Sequence, residues 1–137
     1  MSTAIEPIIN GLSRPFWERA RAGEFFLPHC IQSNRFFWPP SPTSPFVTSG
    51  ETEWCAAAPE GELQSVIIYR RSFHASLQPR LPYGIGLVQL DAGPRLRVHV
   101  SDVSTRDRLH PGDRVRVGFS NFSPQDWPIP VAEKAVR

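Results

Sequence analysis

The sequence predicts a mainly β chain with a short N-terminal helix, a lobe shaped like a zinc ribbon that has lost most of its ligands, and a C-terminal five-stranded barrel. Three observations carry this. Runs rich in Val, Ile, Leu and Tyr occupy Gly61–Arg71, Leu81–Leu90 and Arg95–Val100, with Gly or Pro punctuating the gaps, as consecutive strands require. In the last of these, Leu96, Val98 and Val100 alternate with Arg95, Arg97 and His99, the period of a sheet with one buried and one wet face. Between Cys30 and Val47 the chain has the layout of a knuckle, an aromatic strand, a Pro-rich loop and a second knuckle, but few of the ligands.

Taken in order, residues 1–23 read as an N-terminal arm followed by a helix. Ser13 stands at the cap, Pro15 in the first turn and Gly23 at the stop. A helix this short carrying Phe16 and Trp17 side by side must dock those rings on something, either within the chain or on another one. Residues 24–58 form the ribbon-like lobe, entered through the extended segment Glu24–His29. Its knuckle positions would be Cys30 with Ser33 and Ser44 with Val47, so only Cys30 offers a donor. Adding His29 and Cys55 gives three donors at the wrong spacing for two knuckles. The expectation is a metal-free lobe with no zinc, held by packing of Phe25, Phe36, Phe37, Trp38 and Trp54.

Residues 59–137 form the barrel. Asp91-Ala92-Gly93-Pro94 is a tight reversal joining two strands into a hairpin. His110-Pro111-Gly112-Asp113 is a second turn, leading into the strand Arg114–Phe119, which closes the sheet.

Composition narrows the function. One domain is the natural reading of 137 residues. The 15 prolines, about twice average usage, cluster at Pro28–Pro59 and Pro124–Pro130 and imply much loop. With 15 Lys and Arg against 13 Asp and Glu, the net charge of +2 does not by itself imply a polyanion partner. No apolar run approaches the roughly 20 residues of a membrane span, and the N-terminus has no signal-peptide pattern. Two cysteines are too few for a disulfide framework. The expected setting is cytoplasmic, with no membrane partner. His29, His74, His99 and His110 lie far apart, and no serine occupies a nucleophile elbow, so no catalytic residues are assigned. The histidines are expected at surface or strand-edge positions.

Pro15-Phe16-Trp17, Gly23-Glu24, the knuckle start at Cys30, Arg35-Phe36-Phe37-Trp38-Pro39-Pro40, Glu53-Trp54, Gly61-Glu62-Leu63, Pro82–Leu96 and Pro111–Val117 together resemble the DUF35 family in order and spacing. The resemblance covers roughly residues 13 to 135 and implies an N-terminal helix, a rubredoxin-like zinc ribbon and a C-terminal OB-fold. The chain departs from it at Ser33, Ser44 and Val47, which stand where the family's cysteines would.

The resemblance further implies a non-catalytic accessory subunit in a hetero-oligomer with a thiolase-superfamily enzyme acting on acyl-CoA or acyl thioesters. No cofactor is expected to bind tightly, with a coenzyme A thioester as a shared ligand. Phe16, Trp17, Phe25, Phe26, Phe36, Phe37 and Trp38 are the candidate partner interface, because aromatics are enriched at interface centres. The alternative is that these rings form the lobe's own core. Arg70, Arg71 and Arg80 are candidate contacts for the coenzyme A phosphates, where a guanidinium fork suits phosphate, or they solvate strand ends. The competing reading is an OB-fold that binds single-stranded nucleic acid through aromatic platforms and a cationic groove. Few rings between Gly61 and Val100 and the near-neutral charge weigh against it.

Overall fold

The computed structural model describes residues 11–71, 81–101, 103–120 and 128–135. One helix, α1 (Arg14–Arg21), precedes eight strands: β1 (Phe26–Cys30), β2 (Arg35–Phe36), β3 (Thr52–Ala56), β4 (Glu60–Tyr69), β5 (Tyr83–Leu90), β6 (Arg95–Val100), β7 (Arg114–Ser120) and β8 (Ile129–Lys134).

Ser13 is the N-cap of α1, as expected, but it caps through its backbone. Its carbonyl accepts hydrogen bonds from the Phe16 and Trp17 amides, while its hydroxyl makes no cap bond. The C-terminus closes as a Schellman turn: the Glu24 amide donates to the Arg19 carbonyl and the Gly23 amide to that of Ala20. Gly23 sits at φ +75°, a left-handed conformation open to glycine without a Cβ penalty.

The ribbon-like lobe is a three-stranded antiparallel sheet of order β2-β1-β3. β1 is buried along nearly its whole length. Its register places His29 opposite Glu53, Leu27 opposite Cys55 and Cys30 opposite Thr52. The loop from Phe37 to Glu51 is held partly by rings: the Arg35 guanidinium lies 3.8 Å from the Phe46 ring centroid, and Phe37 meets Phe46 edge-on at 6.3 Å.

The second half is a closed five-stranded barrel of order β4-β5-β6-β8-β7, sealed by pairing of β4 with β7. β4 serves both neighbours because it bends. A register shift between Leu63 and Ser65 marks a bulge, its first residues pair with β7, and the whole strand pairs with β5. Both predicted turns form: the Leu90 amide bonds the Pro94 carbonyl across Gly93 (φ +124°), and the Asp113 amide bonds the His110 carbonyl across Gly112 (φ +98°). A bidentate ion pair from Arg114 to Asp91 ties the first turn to the start of β7. The guanidinium lowers the Asp91 pKa, so this contribution is present above the ordinary carboxylate pKa and is lost as pH falls through the lowered value.

Two expectations need correcting. β8 falls in a stretch whose prolines read as loop. Pro130 is accommodated because β8 pairs along its length only with β7, while its parallel contact with β6 is the single pair His99 with Val131. The other concerns the histidines. Leu96, Val98 and Val100 do face the core, but His99 on the opposite face is only 4% exposed, stacked on the buried Tyr83 at 5.3 Å. His29 is buried as well, His110 is exposed, and His74 lies outside the described residues.

Helix, lobe and barrel share one apolar core. Phe16 from α1, Phe25 and Leu27 from the lobe, and Leu63, Val88 and Val115 from the barrel belong to the same cluster.

Candidate partner-binding surface

The seven aromatics divide by exposure. Phe16, Phe25 and Phe37 are buried. Trp17, Phe26, Phe36 and Trp38 are half-buried. Phe16 is the hub, with ring centroids at 4.8 Å to Trp38, 4.9 Å to Trp17, 5.8 Å to Phe119 on β7 and 6.3 Å to Phe25. These rings therefore weld α1 and the lobe to the barrel, and only the half-buried four retain surface for another molecule.

A second apolar surface lies on the outer wall of the barrel. Ile67 is 62% exposed and Tyr69 40% exposed. Cross-strand pairing sets Ile67 beside Ile85, Ser65 beside Leu87 and Tyr69 beside Tyr83, with Ile85 and Leu87 half-exposed. Tyr69, Tyr83 and His99 form a stacked column with ring separations of 5.5 Å and 5.3 Å, of which only Tyr69 is exposed. The sequence carried a signal for this surface: Val66-Ile67-Ile68 is an unbroken apolar triplet, and in a period-two strand that makes both faces apolar. Beyond it, Arg70 and Arg71 stand exposed past the end of β4, while Arg80 lies outside the described residues. An open cleft of about 790 Å³ runs between the end of α1, β1 and β7, with Arg21 and Arg116 among its walls; Arg70 and Arg71 do not line it.

Two clusters sit on opposite faces of β1, because neighbouring strand residues alternate. On one face, the Ser33 and Ser44 hydroxyls beside the Cys30 thiol lower its pKa to about 7, against the opposing effect of burial. Ser44 also accepts from the Phe46 and Val47 amides, closing the second knuckle with a hydroxyl where a metal-bound thiolate would stand. Among these positions only Cys30 is a metal donor, so the residues present do not fit a four-ligand zinc ribbon. On the other face, His29, Glu53 and Cys55 bring their ligand atoms within 4.8 Å of one another. Burial, reinforced by the adjacent Glu53 carboxylate, pushes the Cys55 thiol pKa up. The sequence put His29 and Cys55 forward as donors but not Glu53, and their convergence depends on the β1–β3 register.

A closed five-stranded barrel fronted by a small antiparallel sheet is the build of an OB-fold chain. The ChsH2 C-terminal OB-fold domain family matches residues 54–120. A search of the curated proteins finds no match. Among solved structures, the chain is similar to one described as "Ltp2-ChsH2(DUF35) aldolase", with 25% identity and a TM-score of 0.81, covering 95% of this chain and 99% of that one. The resemblance to the DUF35 family read from the sequence is thus supported, over the barrel by the family match and over nearly the whole chain by the structural one.

Proposed function

We propose that this protein is a non-catalytic accessory subunit that binds and supports a thiolase-superfamily enzyme acting on acyl-CoA or acyl-thioester substrates. The observation that carries the reading is its likeness, over nearly the full length of both chains, to a chain of an aldolase described by two protein names, Ltp2 and ChsH2. The exposed apolar wall of β4 and β5 supports it, since a surface of this kind on a small domain is a natural seat for another polypeptide. Trp17, Phe26, Phe36 and Trp38 offer a second, aromatic contact. Arg70 and Arg71 follow directly on the apolar wall and present guanidinium forks to coenzyme A phosphates at its rim, a role that Arg80 would share. A cytoplasmic setting fits such a substrate. In the nucleic-acid reading, bases would need a platform of rings, and Tyr83 and His99 are buried beneath Tyr69.

Co-expression with a thiolase-like chain encoded beside this one tests the proposal. A stable hetero-oligomer is expected. Ile67→Asp should weaken it about 30-fold, equivalent to roughly 2 kcal/mol for a central apolar contact, while leaving thermal unfolding of the isolated chain unchanged. Failure to co-purify would refute the accessory role. Unchanged affinity in the variant would remove the barrel wall from the interface, and a salt-sensitive shift of a single-stranded oligonucleotide would favour the alternative.

A further inference from the structure

The unused cluster on the lobe has the chemistry of a cation site, and its histidine is already set for one. His29 is 9% exposed. Its Nε2 lies 2.9 Å from Asn34 Oδ1, an acceptor, so Nε2 donates there and in the neutral ring the Nδ1 lone pair points the other way. Nδ1 is buried without a hydrogen bond. It faces the Glu53 carboxylate at 3.3 Å, without the alignment of a hydrogen bond. A lone pair held against a carboxylate is unfavourable unless something positive lies between them. The Cys55 thiol is the third group at the same place. Phe36 packs on the imidazole at 4.8 Å and fixes its plane, and Asn34 takes the left-handed conformation (φ 54°) that keeps its amide on Nε2.

We propose that His29 Nδ1, Glu53 and Cys55 form a binding site for a divalent transition-metal ion, zinc foremost, with Asn34 as the residue that orients His29. One imidazole nitrogen, one carboxylate oxygen and one thiolate form a borderline donor set of the kind zinc takes, and the two anionic ligands neutralise its charge. Bond lengths of about 2.0–2.3 Å require the three atoms to close from within 4.8 Å by roughly 1 Å. Glu53, with its side chain 48% exposed, is free to supply that movement. Three protein ligands leave a fourth position for water. On binding, the Cys55 S–H bond breaks as the Cys55 S–metal bond forms, and the proton passes to solvent. This site is separate from the knuckle around Cys30, which faces the other way from the same strand.

The full-length chain, stripped with chelator, should bind one zinc ion in a calorimetric titration and release one proton when the titration is repeated in buffers of different ionisation enthalpy. Cobalt substitution should give a charge-transfer band from a single thiolate. Cys55→Ser and Glu53→Gln, at partly exposed strand positions, should weaken binding on the order of 100-fold and at least tenfold, respectively. Asn34→Gly, which preserves the turn while removing the orienting amide, should weaken it about tenfold. Cys30→Ser should leave affinity unchanged. Absence of zinc binding by the native chain, binding that survives Cys55→Ser, or binding that Cys30→Ser abolishes would each overturn the assignment.

Discussion

Phe16→Ala is expected to destabilise the chain by about 3–5 kcal/mol, the range for removing a buried aromatic from a packed core. Phe16 is 1% exposed, and its ring touches groups from all three regions: Trp17 on the helix, Phe25 and Trp38 on the lobe side and Phe119 on the barrel. The alanine leaves a cavity whose walls belong to separate elements, each anchored by its own backbone ladder, so they cannot easily collapse inward. Against a total stability of roughly 5–15 kcal/mol the loss consumes much of what the fold has. Urea unfolding of the variant and the native chain measures it directly. A difference below about 1 kcal/mol would mean that helix and lobe contribute little to the barrel, and that the welded core described above does not act as one unit.

Gly61→Ala should be comparably damaging for a different reason. Gly61 pairs with Leu90 on β5, and a Cβ there would fall on the Gln89 carbonyl oxygen and within 2.9 Å of the Leu90 Cα. Both obstacles are backbone atoms in a paired strand, so relief requires separating the ladder rather than rotating a side chain. We expect a loss of about 3 kcal/mol, at the upper end of overpacking costs. Gly118→Ala in β7 is the matched control. Its Cβ would meet nothing nearer than Glu133 Oε1 at 4.0 Å, so stability should change by less than about 0.5 kcal/mol. Equal thermal midpoints for the two variants would contradict the close approach at Gly61.

The difference between these two glycines also shows what a sequence discloses. β4 to β7 were legible because their periodicity and the Gly–Pro turns between them are local properties of the chain. β8 was not, since Pro130 argues against a ladder position and only the tertiary arrangement reveals that β8 is paired fully on one side alone. The parity of β6 was readable, yet parity says nothing about what covers the outer face, and Tyr83 covers His99 there. Phe16 and Trp17 were expected to dock on something, within the chain or on another one, and for Phe16 part of that surface is the chain's own β7. Nothing local connects His29 to Glu53 and Cys55, which become neighbours only once β1 and β3 take their register.

The single parallel bridge between β6 and β8 gives the barrel two mechanical sides. β4 and β5 are laddered along nearly their whole length, with one bulge, and form a stiff plate, whereas the seam at His99 and Val131 is the compliant one. Ile67 and Ile85 thus sit on a fully paired surface that holds its shape, while the strand edge beyond β6 is the part of the barrel able to give. Rigidity and adaptability are in this way assigned to different strands of the same small cylinder.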